Sequence, residues 1–540
     1  MRILNLTVIV GAGLALQLLL HTSLLAGPIE DEVKRLSTSF NTSDEELFGD
    51  AKLDTALMIP RFYEQRGFTT GWHGSGNEQE LLTELNRGVD QGFLPTDFNL
   101  ALLYELQEKA KSGEPDDIAT FDLVATDAAI KLIHHMVFGK VDPSKLDSSW
   151  NFSKPVIQSE PSTVLNEYLD GEGFSALMKR IYLGVTQYHQ LVDALETYRS
   201  IELNGGWPFV PDETVLKPGM THPAMAVLRE RLIREGVPQE TNFQTSATVG
   251  GEDIYDDALV EAVKAFQTRH GLEADGVVGP RSFQSLNRKA SERVDQLRLS
   301  LERARWLMRE LADEFVLVNI AGARTYFIKG DTVWSTRSVT GSAYRKTPVF
   351  RDDIQYMEFN PTWTVPASIF RKDKLSRIRN DPEYLARNDY KVVRSSDRAP
   401  VNAASVNWAS DSPGVTLVQQ PGPNNALGRV KFMFPNEYAV YLHDTNQKEL
   451  FDRNDRNLSS GCVRLEHPFE FASLLMEGQP NWNNERMNSI LDSGKTTRIE
   501  LDKPVPVLLT YWTAWVETGN VHFREDPYER DAPILEALNR

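Results

Sequence analysis

The chain has 540 residues, of which 41% are hydrophobic and 25% are charged, and its formal net charge is −18. This length predicts several domains, and the composition is ordinary for soluble globular protein. The acidic balance argues against a nucleic-acid partner, because such partners are bound through basic surfaces.

The N-terminus has the pattern of an export signal. After Met1-Arg2, an apolar stretch runs from Ile3 to Leu20 and is followed by the small-residue site Leu25-Ala26-Gly27. We therefore predict that residues 1–27 are a signal peptide and that the protein is exported. The alternative is an uncleaved membrane anchor, because the apolar stretch is long enough to cross a bilayer.

Helical periodicity dominates the first part of the chain. Residues 28–43 are polar and predict a flexible lead-in. Apolar residues then recur at helical spacing, as in the stripe Phe121, Val124, Ala128, Leu132 and Met136. We predict a helical domain over residues 45–215, which contains no reactive group of side chains.

A second, smaller helical domain is predicted over residues 218–290. Glycine and proline mark its boundary at Gly205-Gly206-Trp207-Pro208, and three short helices follow. The third begins at Gly279-Pro280, where proline suits the first helical turn.

The remainder, residues 291–530, is predicted to be a mostly-β domain led by a charged helix. Its segments are rich in β-branched and aromatic residues, and residues 367–388 interrupt them with a helical pattern. Trp363, in a proline-bounded aromatic turn, is either a core residue or part of a substrate wall. The predicted fold class is therefore α+β and multidomain.

One short run in this domain carries the candidate chemistry. Cys462 is the only cysteine of the chain, and His443 lies 19 positions upstream. A thiol becomes a good nucleophile when it is ionised, and an imidazole can take its proton. Gly461 lets backbone N–H groups approach a developing oxyanion closely, and Arg464 supplies a charged fork suited to carboxylates.

Other interpretations of this run remain. A lone cysteine is often a small buried hydrophobe, and in an oxidising compartment it can form an intermolecular disulfide. His467 lies close in sequence to Cys462 but in a loop pattern before proline. The papain order of cysteine before histidine is reversed here, and no H-E-x-x-H zinc motif occurs. We predict no metal and no cofactor.

The run Ser459-Ser460-Gly461-Cys462-Val463-Arg464, with His443 upstream, resembles the signature of the L,D-transpeptidases, the YkuD-type catalytic domain. Many members have glycine after the histidine, whereas this chain has Asp444-Thr445, as in the large multidomain branch from Gram-negative envelopes. More weakly, Gly139-Lys140-Val141-Asp142-Pro143 is similar to the helical scaffold of that branch. Phe266-Gln267-x-x-His270-Gly271-Leu272 is similar to the three-helix peptidoglycan-binding domain, although a spacer without ligand is the alternative.

The resemblance implies a reaction, a location and partners. Cys462 is the expected nucleophile, His443 the general base and Gly461 a backbone contributor to the oxyanion site. Substrate contacts are expected from Arg464, Ser460, Tyr441 and Trp363, with the insertion at 367–388 as a cap. The expected substrates are peptidoglycan stem peptides, in the periplasm, with other wall-synthesis proteins as further partners and carbapenems as inhibitors. An L,D-carboxypeptidase or endopeptidase, or a non-catalytic wall-binding scaffold, is the alternative.

Overall fold

The computed structural model describes residues 27–40, 46–48, 51–147, 150–152, 160–236, 254–309, 311–330, 332–381 and 383–540. The predicted leader, residues 1–27, lies outside these ranges except for Gly27. Within them, we find no helix that combines the length and the apolar character needed to span a bilayer.

The first domain is helical and is built around one long, largely buried helix. The hairpin strands are β1 (Glu46–Phe48) and β2 (Ala51–Leu53). The helices are α1 (Pro28–Ser37), α2 (Ile59–Gln65), α3 (Asn77–Asp90), α4 (Leu100–Ala110), the central α5 (Pro115–Phe138), α6 (Pro161–Leu169), α7 (Phe174–Ile181) and α8 (Thr186–Leu203). The prediction of a flexible lead-in is wrong over α1, because Val33 and Leu36 bury themselves in the core of this domain.

The second domain has its own small core. Its helices are α9 (Ala224–Arg234), α10 (Asp257–Arg269) and α11 (Pro280–Leu286). Leu228, Val263 and Phe266 are buried together between them. The Asp256 carboxylate caps α10 by accepting a hydrogen bond from the Leu259 N–H.

A buried helix, α12 (Ala290–Leu307), joins the helical part of the chain to the strands. The fully buried carboxylate of Glu302 accepts hydrogen bonds from the Val141 N–H at 2.7 Å, from Arg305 at 2.9 Å and from the Trp306 indole at 3.3 Å. Gly139 has φ +82°, and a Cβ there would overlap Trp306 and Glu302. The first domain is thus tied to α12 by main-chain contacts that leave no room for a side chain at this position.

The C-terminal domain is a closed sheet. Its strands are β3 (Glu314–Asn319), β4 (Arg324–Lys329), β5 (Thr332–Gly341), β6 (Phe350–Phe359), β7 (Trp363–Thr364), β8 (Tyr390–Arg394), β9 (Val415–Gln419), β10 (Val430–Met433), β11 (Leu442–His443), β12 (Asn457–Ser459), β13 (Val463–Leu465), β14 (Thr497–Thr510), β15 (Ala514–Glu517) and β16 (Asn520–Phe523). Nine of them follow the order β12-β5-β13-β11-β10-β6-β14-β3-β4, and β4 also pairs with β5. The last pairing closes the sheet around a core of valine, leucine and phenylalanine side chains.

The insertion between β6 and β10 forms a separate layer with its own core. It contains α13 (Ala367–Ile369), a π-helical turn (Phe370–Lys374), α14 (Leu375–Asn380) and α15 (Tyr384–Arg387). It also contains a small sheet in the order β7-β9-β8, which the sequence did not predict. We call this layer, residues 363–419, the cap. Trp363, Phe370 and Leu417 are buried in its core.

Three helices complete the domain. They are α16 (Pro468–Leu475), α17 (Asn484–Asp492) and α18 (Asp531–Leu538). Phe471 of α16 and Leu491 of α17 pack on the core of the closed sheet. Leu538 of α18 packs with Leu299 of α12, so the C-terminus returns to the joining helix.

We predict that Glu302→Ala lowers the free energy of unfolding by about 3 kcal/mol, because it leaves Arg305 Nη1 and the Val141 N–H buried without the acceptor they share and removes the charge that pairs with Arg305. Urea unfolding followed by tryptophan fluorescence measures this loss. The matched control is Glu536→Ala, which removes an exposed ion pair with Arg540 and should change the unfolding free energy by less than about 0.5 kcal/mol. Equal effects of the two substitutions would contradict the role of Glu302.

Candidate active site

Two short parallel strands place four reactive or polar side chains on one face of the closed sheet. β11 pairs with β13 in the register Leu442↔Val463, and the Val463 N–H donates to the Tyr441 carbonyl at 3.1 Å. Successive residues of a strand point to opposite faces. Leu442 and Val463 are fully buried in the core. The opposite face presents Tyr441, His443, Cys462 and Arg464.

Cys462 is partly exposed and free of any disulfide. Sγ donates to the Ala439 carbonyl at 3.7 Å. Burial raises the pKa of the Cys462 thiol above its ordinary value, while Tyr441 and the charge of Arg464 oppose that rise. The free protein therefore holds a protonated thiol near neutral pH.

His443 is buried on the same face of the sheet as Cys462 and is uncharged. Its Nδ1 faces the Asp444 carbonyl, so Nδ1 carries the hydrogen and Nε2 is the basic nitrogen of the neutral ring. Burial, with the charge of Arg464, lowers the pKa of His443 to about 3. No hydrogen bond joins the imidazole to Sγ among the described residues. The two groups are neighbours on one face but not an ion pair.

Asp444 fixes the end of β11. Its carboxylate accepts from the N–H groups of Arg429 at 2.8 Å and Thr445 at 2.7 Å, and from Lys448 Nζ at 2.6 Å. A Cβ at Gly428 would overlap this carboxylate, so the glycine permits the close approach. The Asp444 side chain thereby holds the main-chain carbonyl that orients His443.

Arg464 acts on the site mainly through its charge. Its Nη1 donates to Gln447 Oε1 at 2.7 Å, and its buried Nε has no hydrogen-bond partner among the described residues. The positive charge lowers the pKa of both Cys462 and His443. This position stabilises a thiolate as it forms.

The peptide group before Cys462 has a fixed direction. Gly461 has φ +124°, its N–H donates to Ser459 Oγ at 3.1 Å, and its carbonyl accepts from Thr347 Oγ1 at 2.8 Å. The C=O and N–H of a trans peptide point in opposite directions. Thr347 therefore directs the Cys462 N–H, which has no acceptor among the described residues, away from the core. The expected N–H of Gly461 is already used, so the group available to an oxyanion is that of Cys462.

The remaining predicted residues lie at the border between sheet and cap. Ser460 is exposed, and its Oγ accepts from Arg345 Nη1 at 2.8 Å. Trp363 lies in the core of the cap, 8% exposed, and Tyr441 packs against that core. Trp363 thus reaches the site through Tyr441 and presents little surface of its own.

Thr347 and Arg345 are site residues that the sequence did not indicate. They belong to the loop between β5 and β6. A Cβ at Gly341 would lie 2.2 Å from the Arg345 carbonyl, so the loop returns tightly on itself. Its side chains meet the Cys462 loop across more than a hundred residues of chain, and no local pattern signals such a contact. The described residues contain no group of three metal-ligating side chains.

Comparison with known families agrees with this geometry. Residues 313–482 match the family model described as "L,D-transpeptidase catalytic domain" (YkuD), residues 58–195 match "Scaffold domain", and residues 221–286 match "Putative peptidoglycan binding domain". The chain contains an L,D-transpeptidase catalytic domain. The resemblance noted from Cys462 and its neighbours is confirmed at the level of the domain.

Individual relatives add to this finding. A "Putative L,D-transpeptidase" of Haemophilus influenzae is 36% identical over 221 residues, which are 41% of this chain and 45% of that protein. The chain therefore matches less than half of the length of this curated relative. Two solved structures are also similar, but their TM-scores carry no argument. An "L,D-transpeptidase from Mycobacterium smegmatis" has 10% identity over 37% of this chain and 59% of that chain, with a TM-score of 0.17. A fused Zn-dependent amidase/peptidase and peptidoglycan-binding protein from Clostridium acetobutylicum has 11% identity over 55% and 99%, with a TM-score of 0.15.

The pKa directions in the L,D-transpeptidase domain predict a pH profile for thiol alkylation. The raised pKa of Cys462 means that the thiolate fraction grows as pH rises, with a midpoint above the ordinary thiol value of about 8.5. The lowered pKa of His443 leaves the ring neutral at every pH well above 3, so it forms no imidazolium to stabilise a thiolate. Iodoacetamide rates measured from pH 5 to 10 should climb without a plateau. A plateau between pH 5 and 7 would reveal an ion pair and contradict this assignment.

A second prediction concerns the direction of the Cys462 N–H. Thr347→Val keeps the side-chain shape but removes the hydroxyl that holds the Gly461 carbonyl. It should lower the rate at which a carbapenem acylates Cys462 by about 10-fold to 100-fold. Thr347→Ser should restore most of that rate. Iodoacetamide alkylation, which develops no oxyanion, should stay within about twofold in both variants. Equal loss in both reactions would indicate general disorder of the loop instead.

Proposed function

We propose that this chain is a peptidoglycan L,D-transpeptidase that works through a thioester on Cys462. The observation that supports the proposal best is the common face shared by Cys462, His443 and Arg464 in a domain of this family. That face combines a nucleophile, a base and a permanent positive charge. The thiol is protonated in the free protein and forms no ion pair within the part of the chain that the structure describes. That arrangement suits acyl transfer.

The proposed first half-reaction cleaves the bond before the terminal D-alanine of a stem tetrapeptide. His443 Nε2 takes the thiol proton as Sγ attacks the carbonyl carbon of the third residue. The Cys462 N–H stabilises the oxyanion, and Arg464 stabilises the negative charge on sulfur. The carbon–nitrogen bond then breaks, and the leaving amine takes the proton from His443. The products are D-alanine and a thioester.

The second half-reaction reverses these roles. The side-chain amine of the third residue of another stem peptide attacks the thioester carbonyl, His443 accepts its proton, and the proton returns to sulfur as the thiol leaves. An amide cross-link between two third-position diaminoacids results. Water competes with the amine, so exclusion of water over Cys462 favours transfer over hydrolysis. We assign that protection to the cap, and the packing of Tyr441 against its core supports this assignment.

The helical domains give the proposal a cellular setting. The small domain over residues 221–286 matches a peptidoglycan-binding family, which suits retention of the enzyme on its polymeric substrate. The family acts on the cell wall, which implies an extracytoplasmic location. We place the protein in the periplasm, with the segment over residues 1–27 as its export signal or anchor.

Incubation with tetrapeptide muropeptides and product analysis by mass spectrometry test the proposal. Wild-type protein should give cross-linked dimers, and a carbapenem should add its mass to the peptide that contains Cys462. Cys462→Ala should abolish both reactions, and His443→Ala should lower the rate by about 100-fold or more. The matched control is His467→Ala, at an exposed histidine five residues past Cys462, which should retain activity within about twofold.

The other outcomes are equally distinct. Tripeptide and free D-alanine without dimers would assign the site to an L,D-carboxypeptidase. Unchanged muropeptides with wild-type protein would assign the chain to a non-catalytic wall-binding role. Turnover of muropeptides by the Cys462→Ala variant would contradict the thiol mechanism.

A further inference from the structure

Arg345 already holds a carboxylate at the edge of the Cys462 loop. Its Nη1 and Nη2 donate to the two oxygens of Asp373 at 2.6 and 2.8 Å, and Nη1 also donates to Ser460 Oγ at 2.8 Å. This is the two-pronged geometry with which a guanidinium binds a carboxylate group. Ser460 lies two residues before Cys462, so their Cα atoms are within about 7.6 Å of each other.

The carboxylate that occupies Arg345 comes from another layer of the domain. Asp373 lies in the π-helical turn Phe370–Lys374 of the cap, whereas Arg345 lies in the loop that follows β5. The side chains of Arg345 and Asp373 remain 29% and 36% exposed. Because solvent reaches both side chains, a carboxylate of a bound ligand can compete with Asp373 for the Arg345 guanidinium.

Arg464 does not offer a comparable site. It is largely enclosed, its Nη1 is held by Gln447, and its charge is directed at Cys462 and His443. A carboxylate placed on Arg464 would cancel the charge that stabilises the thiolate. The carboxylate-binding role expected for Arg464 is therefore better filled by Arg345.

We propose that Arg345 is a substrate-carboxylate subsite and that Asp373 occupies it in the free protein. This inference rests on the proposed function and deepens it. In a donor cut one residue before its C-terminus, the terminal carboxylate follows the attacked carbonyl by a single residue. Arg345 reaches the Cys462 loop through Ser460, two residues before the proposed nucleophile. The acceptor strand also carries carboxylates, and the test separates the two sources.

Binding to an inactive variant tests the subsite without any turnover. Calorimetry on Cys462→Ala protein would compare a stem tetrapeptide ending in D-alanine with the same peptide as its C-terminal carboxamide. The free acid should bind about tenfold more tightly or better, because a charge-assisted pair is lost in the carboxamide. Adding Arg345→Met should reduce this ratio to below about twofold, and adding Arg345→Lys should give an intermediate ratio. Adding Asp373→Asn should tighten binding of the acid, because the internal competitor is removed.

The matched control is Arg379→Met in the same Cys462→Ala background. Arg379 pairs with Asp411 on the cap surface, so its loss should leave the acid-to-amide ratio unchanged. An unchanged ratio in the Arg345→Met variant would overturn the proposal. The same comparison is made with an acceptor tripeptide and its carboxamide. If only the acceptor binds more tightly as the free acid than as the amide, the assignment to the donor is overturned. Turnover of muropeptides by wild-type protein is a separate readout, so failure of the proposed function would not be mistaken for failure of the subsite.

Discussion

The parallel pairing of β11 with β13 is the constraint on which the site depends. β11 is only two residues long and β13 only three, yet antiparallel neighbours, β10 and β5, hold them from both sides. Leu442 and Val463 lie in the core without exposed surface. A slip of one residue in either strand would move these apolar side chains outward and turn the histidine or the cysteine into the core. The register of the reactive pair is therefore set by burial on the opposite face.

Cys462 and His443 are held on one face of the sheet, but neither is ionised in the free protein. Enclosure raises the pKa of Cys462 and lowers that of His443, so both shifts favour the neutral partners. A stable thiolate would react with any electrophile in an oxidising compartment. Arg464 lowers the pKa of both side chains, so its charge favours the thiolate of Cys462 and the neutral ring of His443 alike.

The sequence was sufficient for features whose chemistry is local. Strand patterns, helical stripes and the run around Cys462 each lie within a few dozen residues, and the choice of Cys462 as candidate nucleophile follows from thiol chemistry. The sequence was insufficient where distant segments meet. Thr347 contacts Gly461, Arg345 contacts Ser460, and Glu302 contacts Val141, each across more than a hundred residues. The cap sheet was missed for the same reason, since β7, β8 and β9 are short and separated by helices or loops. The helix α1 was missed because Val33 and Leu36 are too few to form a stripe until the core supplies the other side.

The cap is joined to the site by two contacts of different strength. Trp363 belongs to the buried core of the cap, and Tyr441 packs against this core. Separating Tyr441 from the cap would expose apolar surface, so this contact resists separation. The pair of Arg345 with Asp373 is exposed and exchangeable. The two sides of the cap are therefore held differently, the Trp363 side by buried apolar surface and the Asp373 side by an exposed ion pair.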